Sequence, residues 1–422
     1  MSEILVLNCG SSSIKFALFD ARRRRVPREP LWAGKVQGIG GAKPTLVAQG
    51  DSPVALALDP EKPYDAALQH VREWVVNKTG GRIPSAIAHR VVHGGSKYAA
   101  PVRVDAAVLA DLKSYIPLAP LHQPFALEAI EVLLAEAPGL PQIACFDTAF
   151  HRTLPQVEQM LPLPYAHWER GVRRYGFHGL SYAYMAIALP ERHRDAARGH
   201  TIVAHLGSGA SLCAMRGLLS VATTMGFSAL DGLMMGTRCG SIDPGVLLYL
   251  MEFEKLDVKE LSDLLYHRAG LLGVSGLSAS PEVLLEAERT NPRARAALDL
   301  YVRRIVREIG ALTAVLGGLD MLAFTAGVGE HSAVLRERIC RALGWLGVEI
   351  DGAANAANAA TISRPTSRVR VVVEPTNEEW VAASQAVLAL RPNTDVSMTY
   401  GRKRATTLSQ TSDTGIRDVS QP

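Results

Sequence analysis

Cysteine is scarce in this sequence and never has the spacing of a zinc knuckle. No CxxC pair is formed by the five cysteines, which are Cys9, Cys145, Cys213, Cys239 and Cys340. An odd number of scattered cysteines is typical of reduced, buried thiols rather than of a disulfide framework. The chain also lacks a signal-peptide pattern and an uncharged apolar run of the roughly 20 residues that cross a bilayer. These absences predict a cytoplasmic protein with no membrane partner.

Strong charge of either sign is missing as well. The formal net charge is +4, and residues 391–422 alone hold five Lys or Arg against three Asp. The basic run Arg22–Arg25 lies between Asp20 and Pro27, where a solvated hairpin tip is a better interpretation than a binding patch. Nucleic-acid-binding domains normally carry a clustered basic face. We therefore expect no nucleic-acid partner.

Three common catalytic signatures are absent. The sequence contains no GxxxxGK[ST] loop, no GxGxxG after a strand and no GxSxG elbow. These motifs mark P-loop kinases, dinucleotide-dependent dehydrogenases and α/β-hydrolases. Their absence disfavours all three classes.

The composition is that of a globular protein with more than one domain. Hydrophobic residues make up 48% and charged residues 20% of the sequence, as in ordinary globular proteins. Its length of 422 residues is too great for one compact core. Strand and helix patterns alternate in both halves, which predicts an α/β fold. We expect one domain over residues 1–150, a second over 151–376 and a helix at 377–391 that packs back on the first. The polar composition of residues 392–422 predicts a disordered tail.

The two halves open with the same local pattern. Strand-like segments at Ile4–Asn8 and Ile14–Phe19 flank a turn of Gly and Ser, and Thr201–Leu206 leads through GSGAS into a second alternating segment. Turns of small residues expose main-chain N–H groups that bind phosphate oxygens. One such turn is equally well explained as an ordinary hairpin loop. Two turns in matching positions favour a phosphate chain held from both sides of a cleft.

Polar residues stand inside or at the end of predicted strands. Arg90 interrupts the strand-like AHRVVHGG, where a guanidinium is costly unless an anion meets it. Its neighbours His89 and His93 are about 13 Å apart along a strand, too far to share a metal ion. Asp147 ends the strand-like IACFD, a position that suits either a ligand contact or a helix cap.

Glycine-rich segments hold the remaining candidates. His178 lies between glycines in RRYGFHGLS, and Arg238 lies in MMGTRCGSIDPG, where a contact with a ligand phosphate is favoured over a surface ion pair. In FTAGVGEHS, a strand is followed by a glycine turn with Gly327 and Gly329, and then by the N-terminus of a helix that starts near Ser332. Helix N-termini favour anions. The pattern indicates phosphoryl transfer on a scaffold other than the P-loop.

Taken in order, these segments resemble the acetate kinase family. The resemblance runs from Leu7 to Ala383 and rests on LNCGSSSIKF, HRVVHGG, APLHQPFAL, FDTAFH, RYGFHGLS, HLGSGAS, MGTRCGSIDPG, TAGVGEH and PTNEEWVAA. It implies two duplicated ribonuclease-H-like domains of the actin and sugar-kinase superfamily with an interdomain cleft, assembled as a homodimer. It also implies a magnesium-dependent kinase that interconverts acetate and ATP with acetyl phosphate and ADP.

The resemblance implies roles for individual side chains. Arg90 and Arg238 would hold the carboxylate substrate and the transferring phosphoryl group, and His178 would stabilise the phosphoryl oxygens. Asp147 would align the attack and help to bind the metal. No strong general base is required, because a carboxylate is already ionised at neutral pH.

The metal and ATP sites are implied in the same way. Asn8 and Glu378, with Asp147, would organise Mg²⁺ or Mn²⁺. Residues that would serve the nucleotide phosphates or line the donor side are Ser11, Ser13, Lys15, His205, Gly207, Ser208, Gly209, Ser280, Gly327 and Gly329. Departures from the family pattern fall on this side: Ser208 and His331 stand where asparagine is usual, and Ser280 and Glu282 where aspartate and arginine are usual. ATP is the expected donor, with another nucleotide or pyrophosphate as the alternative.

The acyl pocket would be formed by Val92, Leu121, His122 and Phe177 and by one wall that departs from the family. Where the family usually has FTPL, this chain has FSAL, so Ala229 replaces a proline and widens the pocket. One or two extra methylenes change substrate preference by only about 1–3 kcal/mol. Propionate or butyrate is therefore an alternative acceptor.

A second alternative is a nucleotide-binding relative without catalysis, like the actin branch of the superfamily. Such a protein has no need to retain the set Arg90, Asp147, His178, Arg238 and Glu378. All five residues are present in this chain, which favours an enzyme.

Overall fold

The computed structural model describes residues 2–10, 12–23, 25–120 and 122–391. The predictions for Ser11, Leu121 and the tail 392–422 lie outside the described residues. Within these ranges, no helix combines the length and the apolar character that crossing a bilayer requires.

The described strands form one sheet of eight strands and one of five. They are β1 (Glu3–Gly10), β2 (Ser13–Asp20), β3 (Trp32–Gln37), β4 (Thr45–Ala48), β5 (Val54–Ala55), β6 (Ala86–Val91), β7 (Val102–Arg103), β8 (Gln142–Phe146), β9 (His200–Leu206), β10 (Ala210–Arg216), β11 (Leu219–Thr223), β12 (Met321–Thr325) and β13 (Arg370–Val373).

The helices lie on both faces of these sheets. They are α1 (Pro63–Lys78), α2 (Ala106–Ser114), α3 (Gln123–Glu136), α4 (Gln156–Gln159), α5 (Tyr165–Glu169), α6 (Gly179–His193), α7 (Pro244–Glu252), α8 (Val258–His267), α9 (Gly270–Ser275), α10 (Pro281–Ala287), α11 (Pro292–Leu316), α12 (Ala326–His331), α13 (Ala333–Ala342), α14 (Gly352–Ala356) and α15 (Glu378–Leu390). Local sequence sets many of their ends. A capping box of Asp257 and Glu260 starts α8, while Asn291 caps the start of α11 and Gly317 ends it in the left-handed conformation.

The two sheets share one topology. The first has the order β5-β4-β3-β2-β1-β6-β8-β7 and the second the order β11-β10-β9-β12-β13. In each, three antiparallel strands continue into two parallel ones, so that β3-β2-β1-β6-β8 corresponds to β11-β10-β9-β12-β13. The two Gly-Ser turns therefore occupy equivalent hairpins, β1–β2 and β9–β10. The predicted duplicated ribonuclease-H-like α/β fold is confirmed.

Three buried clusters divide the molecule into layers. One packs α1, α2 and α3 on the outer face of the first sheet, and another packs α11 and α13 on the outer face of the second. Between the sheets lie α6 and α15, whose residues Met185 and Ala386 share a cluster with Ile4 of β1 and Val203 of β9. The layers place α6, the first helix after the candidate residue His178, directly against the strands that build the site.

Two features of the second half differ from the sequence prediction. Helix α6 was not predicted. Gly327 and Gly329 were expected in a turn before a helix, but they lie inside α12, which starts immediately after β12. Ala326 makes this possible because it adopts a left-handed φ of 64° and donates its N–H to the Glu330 carboxylate at 2.7 Å.

Candidate active site

A cavity of about 630 Å³ lies between residues of the two sheets. Arg90 reaches it from the end of β6, and Asp147 from the residue after β8. From the second sheet, His205 reaches it from the end of β9 and Ala326 from the residue after β12. Open α/β sheets bind ligands at this carboxyl edge of their parallel strands.

The cavity brings together most of the residues that the sequence indicated. Those lining it are Lys15, Arg90, Val92, His122, Asp147, Phe177, His178, His205, Gly207, Ser208, Gly209, Ala229, Arg238, Gly327 and Glu378. Its other lining residues were not predicted: Ala326, Val328, Glu330, Thr376 and Glu379.

Some predicted residues are described but are not among those lining the cavity. Asn8 lies on β1, and Ser13 is the first residue of β2. Ser280 is the N-cap residue of α10, and Gly329 is buried within α12. Their roles toward the metal and the nucleotide stay predictions.

Arg90 forms the charged centre of the cavity. Its Nε lies 3.1 Å from both carboxylate oxygens of Asp147, and its Nη2 lies 2.7 Å from Oδ2. Its Nη1 lies 2.9 Å from Oε2 of Glu378. Burial lowers the pKa of Arg90, but the two carboxylates outweigh it and raise the pKa. Two acids thus converge on one cation.

Two of the acids near Arg90 have raised pKa values. Burial raises the pKa of Asp147, and the Arg90 guanidinium only partly opposes the rise. Burial and the neighbouring charge of Glu378 raise the pKa of Glu379, which also lines the cavity. A second cation at this point would relieve the repulsion among the three carboxylates.

Three histidines line the cavity as neutral rings. His178 and His205 stack with their ring centroids 4.2 Å apart and their planes at 19°. Burial, then His205, Arg90 and Arg238, lower the pKa of His178 well below its ordinary value. Burial and Arg90 lower the pKa of His205 to about 3, and burial, Arg238 and Arg90 lower that of His122 to about 4. At neutral pH these imidazoles offer N–H donors rather than positive charge.

Arg238 approaches the second Gly-Ser turn. A Cβ on Gly209 would lie 3.1 Å from both Nη2 of Arg238 and Nε2 of His178, so a side chain there would crowd the site. Nη1 of Arg238 donates to the carbonyl oxygen of Ala229 at 2.7 Å. Within the described ranges, Arg238 has no carboxylate partner, and burial lowers its pKa. A guanidinium with spare N–H groups and no acid is suited to an anionic ligand.

Glu330 is a residue of the site that sequence reasoning missed. Its Oε1 accepts from the main-chain N–H groups of Ala326 at 2.7 Å and of Thr376 at 3.2 Å. It therefore ties the start of α12 to the segment that follows β13, beside the cavity. The sequence signal was a lone glutamate in TAGVGEH, which does not point to a partner 46 positions away.

The sequence has close relatives among known proteins. A sequence model of the Acetokinase family matches residues 3–384. The acetate kinase of Rhodopseudomonas palustris is 48% identical over 389 residues, which cover 91% of this chain and 97% of that protein. The acetate kinase of Nitrobacter hamburgensis is 45% identical over 408 residues, covering 95% of this chain and 100% of that protein.

Solved structures with the same fold were also found. The crystal structure of Porphyromonas gingivalis acetate kinase has a TM-score of 0.82 and 36% identity, covering 93% of this chain and 100% of that one. The structure of a propionate kinase from Francisella tularensis has a TM-score of 0.84 and 33% identity, covering 91% of this chain and 99% of that one. Together with the arginine-lined cavity, these similarities identify a phosphotransferase. The chain belongs to the acetokinase family.

Proposed function

We propose that this protein is an acetate kinase, which reversibly transfers the γ-phosphoryl group of ATP to acetate and forms acetyl phosphate and ADP. The observation that carries the proposal is that Arg90, Asp147, His178, Arg238 and Glu378 line a single cavity. A nucleotide-binding relative without catalysis would not need this set of side chains.

The side chains suit in-line transfer of a phosphoryl group. Its transition state spreads negative charge over three equatorial oxygens, and fixed donors stabilise that charge without reorganising. We assign Arg238 to the transferring group because it has no acid partner among the described residues, and Arg90 to the acetate carboxylate. The neutral ring of His178 donates an N–H to an equatorial oxygen. Asp147 holds Arg90 and thereby fixes the carboxylate that attacks.

Asp147 and Glu378 fit a divalent cation. Both contact Arg90 within 2.9 Å, so their oxygens converge on one region of the cavity. Mg²⁺ is commonly bound by one or two carboxylates together with substrate phosphates. This suits a chain whose described residues hold no group of three or more His, Cys, Asp or Glu that could bind an ion alone. Mg²⁺ or Mn²⁺ would neutralise nucleotide phosphate charge there, and we assign Asn8 to the same ion.

The acyl pocket admits a second candidate function. Val92, Phe177 and Ala229 line the cavity and supply its apolar wall. The small side chain of Ala229 leaves room for a longer acyl group, which supports propionate as a competing acceptor. The similarity to a protein named as a propionate kinase supports the same alternative.

We assign the donor phosphates to the part of the cavity that glycines line. Gly207, Ser208 and Gly209 of one turn and Gly327 of α12 line it together. Main-chain N–H groups in small-residue turns bind phosphate whatever nucleoside follows. ATP is the proposed donor, and a different nucleotide or pyrophosphate is the alternative because Ser280 and Glu282 stand where the family usually has an aspartate and an arginine.

We further propose a homodimer built on α7. This helix has no buried residue although its sequence PGVLLYLME carries a single charge. The exposed fractions are 66% for Leu248, 53% for Tyr249 and 67% for Phe253, the residue that follows α7. Contiguous exposed apolar surface marks protein interfaces, and an uncharged face is complementary to its own copy across a two-fold axis.

We also propose the domain division and the location that the sequence suggested. Helix α15, within residues 377–391, contacts β1, β6 and β8 of the first sheet, which supports its assignment to the domain at 1–150 rather than to that at 151–376. All five cysteines are described and unpaired, which supports a reducing, cytoplasmic location.

The test is acyl-phosphate formation by the purified protein, trapped with hydroxylamine. Acetate, propionate and butyrate are each supplied with ATP, another nucleoside triphosphate or pyrophosphate, with and without Mg²⁺. We expect product from acetate and ATP only with Mg²⁺, and weaker product from propionate. The variant His178→Ala is the matched negative control. No product with any acid and donor, from a folded sample, would refute the kinase assignment.

A further inference from the structure

A chain of hydroxyl groups leads from the protein interior to His178. The Oγ of Ser211 lies 2.8 Å from Nδ1 of His178 and 2.5 Å from the hydroxyl oxygen of Tyr182. Ser211 and Tyr182 are both fully buried. The opposite ring nitrogen, Nε2, lies beside Gly209 at the cavity.

The number of available hydrogens decides which group donates in each of these hydrogen bonds. The hydroxyl of Tyr182 has no partner other than Ser211 within the described residues. If His178 carried its proton on Nδ1 and donated it to Ser211, the hydroxyl hydrogen of either Ser211 or Tyr182 would be buried without an acceptor among the described residues. An unsatisfied buried donor costs about 1–3 kcal/mol. The favoured arrangement is therefore that Tyr182 donates to Ser211 and Ser211 donates to Nδ1 of His178. The ring proton of His178 is then on Nε2.

A parallel chain ends at His205. Thr376 donates from Oγ1 to Oγ of Ser181 at 3.0 Å, and that Oγ lies 2.9 Å from Nδ1 of His205. Because the Ser181 oxygen already accepts from Thr376, its own hydrogen is available for Nδ1. The stacked rings of His178 and His205 thus receive equivalent bonds from two hydroxyl pairs. Ser181 and Tyr182 are adjacent residues in the first turns of α6.

We propose that Ser211 and Tyr182 are positioning residues that hold His178 as the Nε2–H tautomer, so that its N–H points at the transferring phosphoryl group. The role toward phosphoryl rests on the proposed kinase function, whereas the tautomer does not. In the other tautomer, Nε2 would present a lone pair to the negatively charged oxygens and repel them.

The tautomer is measured directly by nitrogen–proton correlation spectra of the full-length protein labelled with ¹⁵N-histidine. The His178 signals are assigned by their loss in His178→Gln. We expect a neutral ring with protonated Nε2 and unprotonated Nδ1, and an increase of the Nδ1–H form in Ser211→Ala. A wild-type ring protonated on Nδ1, or a tautomer unchanged in Ser211→Ala, would overturn the proposal. Because this readout needs no turnover, it stands even if acyl-phosphate formation fails.

Kinetics then separate positioning from structural support. We expect Ser211→Ala to lower kcat by about 10-fold to 100-fold with KM values nearly unchanged, because the lost alignment acts in the transition state. Tyr182→Phe, which keeps the ring in place, should give a smaller loss because Ser211 can still donate to Nδ1. Ser384→Ala is the matched control, since it removes a buried hydroxyl that lies outside the site and has no hydrogen-bond partner among the described residues. Wild-type kcat in Ser211→Ala, or a loss confined to KM, contradicts the proposal.

Discussion

Arg90 and Asp147 form a two-point ion pair inside the cavity, with Nη2 of the guanidinium 2.7 Å from Oδ2 and Nε 3.1 Å from Oδ1. Glu378 contacts the remaining Nη1 of the same guanidinium. The charge of Arg90 is therefore balanced before any ligand binds. Arg238, by contrast, contacts only the Ala229 carbonyl oxygen among its hydrogen-bond partners in the described part of the chain. The cavity therefore contains one arginine whose charge is balanced by carboxylates, Arg90, and one whose charge is not, Arg238.

Replacing Arg238 should remove catalysis and leave the fold intact. We expect Arg238→Ala to lower kcat at least about a hundredfold, because it deletes a charged donor that acts where charge develops. Arg238→Lys should recover part of this loss, since it keeps the charge but not the planar fork. Hydroxylamine trapping measures turnover, and thermal unfolding checks the fold. Wild-type turnover by folded Arg238→Ala would contradict the assignment.

Glu330 should govern the donor side of the cavity rather than the acceptor side. Glu330→Ala frees the main-chain N–H groups of Ala326 and Thr376, which loosens the start of α12 and the segment after β13. We expect the KM for ATP to rise about tenfold or more, from the loss of about 1.4 kcal/mol of bonding, with the KM for acetate nearly constant. Glu330→Gln, which keeps an acceptor oxygen, is the control and should change much less. Equal effects on the KM values for ATP and acetate would contradict this role of Glu330.

Sequence reasoning identified the residues whose side chains are costly or unusual where they stand. Arg90 in a strand and His178 between glycines were recognisable because each violates a local preference. Asp147 was recognisable because it follows a buried strand. The repeat of the Gly-Ser turn indicated that the two halves are alike, whereas the duplicated ribonuclease-H-like fold was implied by the resemblance to the acetate kinase family.

Other parts of the site could not be predicted, because their importance depends on contacts between distant segments. Glu330 acts on Thr376, and Ser211 on Tyr182, with no local sequence feature marking either pair. The sequence predicts a turn where α12 lies, because glycine disfavours helices on average. A single left-handed residue, Ala326, and its bond to Glu330 overcome that preference.

Acidification should destabilise the protein through its buried histidines. Burial lowers the pKa of both His89 and His151 to about 4, against about 6.5 in an unfolded chain. Between these pH values the unfolded state binds more protons, so the free energy of unfolding falls as pH falls, by up to about 1.4 kcal/mol per pH unit for each histidine. Urea unfolding across this window measures the slope. His89→Gln should make it shallower, and an unchanged slope would show that His89 is not responsible.

The width of the acyl pocket should depend on residue 229. Ala229 is 8% exposed and lines the cavity, so added methyl groups there take space from the acyl chain. We expect Ala229→Val to raise the ratio of kcat/KM for acetate to that for propionate by about tenfold, and Ala229→Gly to lower it. Side-by-side trapping assays with both acids give the ratio. If the two variants shift it in the same direction, residue 229 does not form the wall.

The exposed face of α7 should hold two copies of the chain together. A charge at Leu248, which is 66% exposed, would be desolvated at an apolar two-fold interface and would meet its own copy. We expect Leu248→Glu to convert a dimer into a monomer in sedimentation analysis, with secondary structure unchanged by circular dichroism. Val157→Glu is the matched control, because Val157 is 78% exposed and lies outside α7. A wild-type monomer, or a Leu248→Glu variant that still dimerises, would contradict the prediction that this face forms the dimer interface.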